Sequence, residues 1–312
     1  MSARAGVLVV AALTLLAGAC SDDDDGAGVR TDRALVTVAL AGRPSAVAFG
    51  EGALWVVEDE GGLVHRLDPD DGRPLGAATQ VSQGPASIDV GDGVVWVADP
   101  RGTVTRIDAA TGTVIDPPLA VGGTIVDIEV DGSRVWVGDI EAGTVRAIDV
   151  ASGTVGPAIT VPDGVVRLEV AGERLWVTGL DQRLTQVDRA TGRFRPSVPV
   201  GLGPIGMGTA GGRLWVANSD DDTVSRLDPV SGEPRGQQVT VGDAPIAVAG
   251  DGADVWVLDQ DSATLTRLDA ETGEPVGSPI DLPMRPRGLA VTPAGVWAVG
   301  VEPSLAVLVR RG

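Results

Sequence analysis

The chain contains no lysine and no tyrosine, and among its 312 residues it has one histidine, His65, and one cysteine, Cys20. A single cysteine excludes any disulfide within the chain. Positive charge is scarce as well: 24 arginines stand against 43 Asp and Glu, for a net charge of −19. Phosphate binding takes clustered Lys and Arg, whereas these arginines are dispersed, so nucleic acid is excluded as a partner. An acidic surface favours solubility and attracts cations or a basic partner. Metal, redox and nucleotide signatures are missing too: there is no CxxC, no HExxH, no P-loop, and no G-x-G-x-x-G that follows a strand and opens a helix. Helical 3.6-residue periodicity is absent beyond the first 20 residues, so almost no helix is expected.

What the chain does have is one phrase written seven times. Trp55, Trp96, Trp136, Trp176, Trp215, Trp256 and Trp297 are its only tryptophans, spaced 41, 40, 40, 39, 41 and 41 residues apart. Each sits in an apolar triplet such as Leu54-Trp55-Val56 or Leu214-Trp215-Val216. A fixed period near 40 residues signals a repeat architecture, which makes residues 34–312 one large domain of seven units. Each unit reads as four short apolar runs separated by turn signals, the pattern of an all-β array. The Trp run is apolar at consecutive positions, so both of its faces should be buried, as when one sheet stacks on the next. The third run repeats Arg-Leu/Ile-Asp, as in Arg66-Leu67-Asp68 and Arg226-Leu227-Asp228; Arg and Asp two apart share a face, so an ion pair is expected. The fourth run carries prolines (Pro117, Pro118, Pro157, Pro196, Pro199, Pro279), which cannot donate to a ladder and belong at sheet edges. Seven four-stranded antiparallel sheets, each with one edge outward, make a seven-bladed β-propeller. The last unit lacks a fourth run, and a spare one, Leu35 to Leu40, precedes the first unit. The N-terminal strand is therefore expected to complete the C-terminal blade.

Ahead of the repeat lies an address. Arg4 is followed by an uncharged apolar run from Gly6 to Ala19, short for a membrane span and suited to a signal peptide. It ends in Leu16-Ala17-Gly18-Ala19-Cys20, which resembles the lipobox of bacterial lipoproteins. Residues 1–19 are read as that signal, Cys20 as the lipidated first residue of the mature protein, and residues 20–33 as an acidic, disordered tether in which Asp22 to Asp25 repel one another. The expected location is outside the cytoplasm, lipid-anchored at the cell membrane.

Leu214-Trp215-Val216-Ala217-Asn218, with Asp222-Thr223-Val224-Ser225-Arg226-Leu227-Asp228 and Val241-Gly242-Asp243-Ala244-Pro245, resembles the YVTN-type propeller repeat, with Trp at its Tyr position. Residues 34–312 as a whole are similar to that superfamily, which includes virginiamycin B lyase-like and quinoprotein amine dehydrogenase-like propellers. The lyase-like members imply a histidine base beside a bound Mg²⁺. In this chain the only histidine, His65, falls on a third strand away from a channel mouth. Propellers host many unrelated activities, so the resemblance speaks to fold more than to function.

Two carboxylate sets are candidates for chemistry. One closes the Trp strands: Glu58, Asp99, Asp139, Asn218 and Asp259, with Gly179 and Gly300 in the other two units. Short Asp and Asn side chains at such places cap turns. Asn218, Asp220 and Asp222 also have the spacing that opens an EF-type calcium loop, although Thr223 and Pro229 stand where that loop takes Gly and Glu. The other set lies on the first strands of three adjacent units, where Asp89, Asp127, Glu129, Arg167 and Glu169 should gather on one sector of a central channel. Two readings fit them: a hydrated wall partly neutralised by Arg167, or a ligand or metal site for Ca²⁺ or Mg²⁺. For function, a binding or scaffolding propeller for a protein, peptide or envelope component, acting as a monomer, competes with a metal-assisted lyase or hydrolase using channel carboxylates.

Overall fold

The computed structural model describes residues 35–179 and 181–310; the signal sequence, Cys20 and the acidic tether lie outside them. The described residues form seven separate four-stranded antiparallel sheets and no helix. Blade 1 is Pro44–Gly50, Ala53–Glu58, Leu63–Leu67 and Thr79–Gln80, and the same order repeats through blade 6. In every blade the first strand lines a central channel. Blade 7 takes Arg285–Thr292, Gly295–Val301 and Leu305–Arg310 from the C-terminal end of the chain and Leu35–Ala39 from the N-terminal end. Leu35 pairs with Val309 and Ala39 with Leu305, so the two ends of the ring are joined by a strand ladder.

The tryptophans explain why the blades stack. All seven are fully buried on the second strand of their blade. Trp55 packs on Val95, Val97 and Ile107 of blade 2, and Trp96 on Val135, Val137 and Ile148 of blade 3. The relay continues around the ring until Trp297 of blade 7 lies on Leu54, Val56 and Leu67 of blade 1. Each indole is thus the contact by which one sheet covers the next, and truncating one would cost roughly 3–5 kcal/mol.

Two features differ from the sequence expectation. The third-strand Arg and Asp do not pair with one another. Arg66, Arg226 and Arg267 stand directly across from Trp55, Trp215 and Trp256, with the guanidinium 5.5, 5.7 and 5.4 Å from the ring centre. The Asp two residues later caps the following turn instead: Asp108 Oδ1 accepts from both the N–H and hydroxyl of Thr111 at 2.8 Å. A cross-strand aromatic face and free turn N–H groups offer more than an exposed ion pair does. The outer strands are also shorter than expected. In blade 5 the chain makes a single bridge at Pro234 and pairs again only at Val239–Thr240, and blades 1, 3 and 6 do the same at Pro74, Val155 and Pro275. Longer outer strands occur in blades 2 and 4, Val114–Ala120 and Phe194–Pro199, and in blade 7, Leu35–Ala39.

Candidate functional site: the central channel

The first strands enclose a cavity of about 360 Å³ lined by all seven blades. Its wall is uneven. Blades 1, 5, 6 and 7 contribute mainly small and apolar side chains such as Ala48, Gly206, Ala249 and Ala290. Blades 2, 3 and 4 contribute Asp89, Asp127, Glu129, Arg167 and Glu169, so the residues singled out in the sequence do meet on one sector.

Their hydrogen bonds fall on two levels. On the first, Ser87, Asp127 and Arg167 follow one another across blades 2, 3 and 4. Ser87 Oγ donates to Asp127 Oδ1 at 2.9 Å, and Arg167 Nη1 lies 3.5 Å from the same oxygen while donating to Val126 O at 3.1 Å. On the second level, Asp89, Glu129 and Glu169 each stand across from their own blade's Trp. Here the carboxyl groups reach forward one blade. Val130 N–H donates to Asp89 Oδ2 at 2.6 Å, and Val170 N–H to Glu129 Oε1 at 3.1 Å. Asp127 does the same from the first level, accepting from Leu168 N–H at 2.7 Å. In all three cases the partner is 41 residues onward, one repeat further round. The channel carboxyls are therefore bridges between the innermost strands, whose channel-side N–H groups have no further strand to pair with.

Enclosure by protein penalises the charged forms. Burial pushes Asp89 up to about 6, although the N–H groups of Val130 and Val90 oppose it. Burial likewise pushes Glu169 up to about 8, with Asp89 and Asp127 adding repulsion. Glu129 is raised well above the ordinary range by burial and then by its neighbours Glu169 and Asp89. Asp127 is raised by burial against the opposing pull of Arg167. Among the described residues no group of three or more His, Cys, Asp or Glu is arranged to hold a metal ion. Within the channel set, both Asp89 oxygens, Asp127 Oδ2 and Glu129 Oε1 are engaged by backbone N–H donors.

The second carboxylate set closes turns and clasps the loop that leads into each blade. Asp139 Oδ1 accepts from Glu141 and Ala142 N–H of the following turn and from Thr124 N–H of the incoming loop, each at 3.1 Å. Glu58 Oε1 accepts from Gly42 N–H at 2.9 Å, and Asn218 Oδ1 from Gly201 N–H at 3.1 Å. Asn218 also donates to Thr223 and Ser225, which turns its side chain inward and away from Asp220 and Asp222; the calcium-loop spacing does not produce a converging site. Where blade 4 has Gly179, a Cβ would lie 2.1 Å from Asp163 O, and Asp163 supplies the acceptor for Thr185 in its place. That substitution of one loop carboxylate for another has no signal in the repeat alignment, because Asp163 lies outside the Trp strand.

His65 belongs to this clasp. Its Nε2 lies 3.1 Å from Glu58 Oε1, on the strand facing Val56. Ser225 faces Val216 and Thr266 faces Val257 in the same way, and both donate to, or accept from, the residue that closes their Trp strand. His65 thus stands in the Ser/Thr place of this repeated contact, set against Glu58 at ion-pair distance. His65→Thr should change the unfolding free energy by under about 1 kcal/mol, whereas His65→Leu, which leaves the buried Glu58 with Gly42 N–H as its remaining partner, should cost about 1–3 kcal/mol. Equal losses for both variants in a denaturant titration would show that the repeat equivalence does not hold.

No family model and no curated protein matches the chain. Among solved structures it is similar to virginiamycin B lyase from Staphylococcus aureus, with a TM-score of 0.78 at 15% identity over 89% of this chain and 99% of that one. A streptogramin B lyase structure gives a TM-score of 0.77 at 16% identity, covering 89% of this chain and 98% of the other. Hydrazine synthase from Kuenenia stuttgartiensis gives 0.75 at 14% identity, covering 93% and 99%. At these identities the likeness is one of fold: the two lyase structures are virginiamycin B lyase-like seven-bladed propellers, and this chain shares their ring of blades.

Proposed function

We propose that this protein is an extracytoplasmic lipoprotein, anchored through a lipid on Cys20, that presents its propeller as a binding or scaffolding module. The observation that carries the binding reading is the use made of the channel carboxyls: Asp89, Asp127 and Glu129 each accept a backbone N–H of the next blade. Groups so engaged serve the rigidity of the disc. Recognition then falls to the loops after the Trp strands, where Asp59-Glu60 and Asp220-Asp221-Asp222 concentrate negative charge. The partner class that suits them is a basic protein, peptide or envelope component, met by a monomeric disc on an acidic tether. Cys20→Ser should move the protein from the membrane to the soluble fraction, and metabolic lipid labelling should mark the wild type but not the variant. An unlabelled wild type would make this a secreted protein and remove the anchor from the proposal. Capture of a basic partner from the envelope fraction by the soluble domain, lost when Asp220, Asp221 and Asp222 become Asn, would support the binding face.

The fold likeness favours a second reading, a metal-assisted lyase or hydrolase working in the channel. It is tested by a turnover screen supplemented with Mg²⁺ or Ca²⁺. Activity that survives His65→Ala and disappears in Glu129→Ala would displace the binding module. A melting temperature raised by either ion and insensitive to the Ala variants of Asp89, Glu129 and Glu169 would place the ion elsewhere.

A further inference from the structure

We propose that Asp89, Glu129 and Glu169 form a protonation-dependent latch between blades 2 to 5, which is tightest when the carboxyls hold their protons and loosens as alkaline conditions strip them from Glu129 and Glu169. The argument begins from the two levels of the channel wall. The level of Ser87, Asp127 and Arg167 contains its own cation and a hydroxyl donor, and its members are bonded to one another. The level of Asp89, Glu129 and Glu169 contains three carboxyls on three consecutive strands and no cation; round the rest of the ring that level is Gly208, Ala249, Ala290 and Ala48. The charged or titratable groups lining the channel are those five residues and Arg287, which comes from blade 7; blades 1, 5 and 6 supply none. Three carboxylates ionised together at one level of an enclosed channel would repel one another, as like charges do in a shared site.

The same groups bond the blades together. Asp89 accepts from blade 3 and Glu129 from blade 4, and Glu169 is set beside Thr209 of blade 5. Retaining protons lets the carboxyls keep these bonds without the repulsion. The raised values of Asp89, Glu129 and Glu169 agree with that arrangement. The sign follows directly: acids that bind protons more tightly folded than unfolded contribute stability that is full below the unfolded value and lost as pH rises through the folded one. The window runs from the ordinary carboxyl range to about 8, where burial places Glu169.

The test is a thermal melt across about pH 5 to about pH 9 of wild type, Glu129→Gln and Glu169→Gln. Gln imitates the protonated acid and cannot ionise, and subtracting wild type from variant at each pH cancels the surface carboxylates common to both. The variant-minus-wild-type difference should grow by about 5 °C with rising pH, leaving the variants the more stable forms at the alkaline end. A difference that is flat, or that shrinks, overturns the proposal. If the Gln variants fail to fold, infrared spectroscopy of the wild type in D₂O decides: a protonated-carboxyl stretch present at neutral pH and lost by about pH 9 supports the latch, and its absence at neutral pH refutes it.

Discussion

Removing Leu35 to Gly42 should lower the melting temperature by about 10–20 °C, a loss as large as any expected outside the Trp core. Five positions of Leu35–Ala39 are paired with Leu305–Val309, and Val36, Val38 and Leu40 pack on the cluster around Trp297. Val38 and Trp297 also sit together beneath the turn of Asp71-Gly72 in blade 1, so the strand supports the joint between the last blade and the first. Lost ladder bonds on an exposed edge, at about 0.5 kcal/mol each, and three half-buried apolar side chains at about 1 kcal/mol each give roughly 5 kcal/mol. At about 2–4 °C per kcal/mol for a domain of this size, that is about 10–20 °C. The exposed third strand, Leu305–Arg310, would then be an unpaired apolar edge, so light scattering above the transition should rise too. A truncated domain that melts with the intact one would mean that the Trp relay alone holds the ring. Adding the segment back as a separate peptide should restore part of the loss if pairing, and not chain length, is what matters.

The features that could be read from the sequence are those that depend on one residue type recurring at one spacing. Seven tryptophans near 40-residue intervals give seven blades, the consecutive apolar positions around each give a strand buried on both faces, and the surplus strand at Leu35 gives closure. Each was set by a periodicity that survives any detail of side-chain direction. What could not be read depends on distance between strands. Asp89, Glu129 and Asp127 were placed on the channel by alternation, but their acceptor role requires knowing that the neighbouring strand's N–H lies within 3.1 Å, which spacing along the chain does not contain. The Arg-x-Asp motif misled for a related reason. Two residues on one face suggest a pair, yet Trp55 directly across the ladder and the open turn beyond Asp68 were nearer competitors. His65 was visible as an isolated histidine; only the register against Val56 shows that Ser225 and Thr266 hold its place in other blades.

The asymmetry of the ring gives the second large effect. Gly208→Ala should cost about 3 kcal/mol or more and lower the melting temperature by about 6–12 °C, although it adds a single methyl group. In the sequence Gly208 is only a small residue at the level where neighbouring units place Glu169 and Ala249. In the structure the first strands of blades 5 and 6 run backbone against backbone there. A Cβ on Gly208 would lie 2.5 Å from Val248 O and 3.0 Å from Val248 C, and one on Gly206 would lie 2.6 Å from Ile246 O. Because the obstacles are main-chain atoms, no rotamer change relieves them; the strands must move apart and disturb the packing of Trp215 on Val248 and Val255. One blade back, Glu169 fills the equivalent place and spans the gap to blade 5 with its side chain. The ring therefore closes tightly on the glycine side and is spaced by carboxyls on the other. Glu169→Ala should accordingly be far milder than Gly208→Ala at neutral pH, since it removes a spacer whose charge burial already disfavours. Comparable melting temperatures for Gly208→Ala and the wild type would show that the blades have slack at this level. In that case the carboxyl sector could not be the place where the ring is most easily opened.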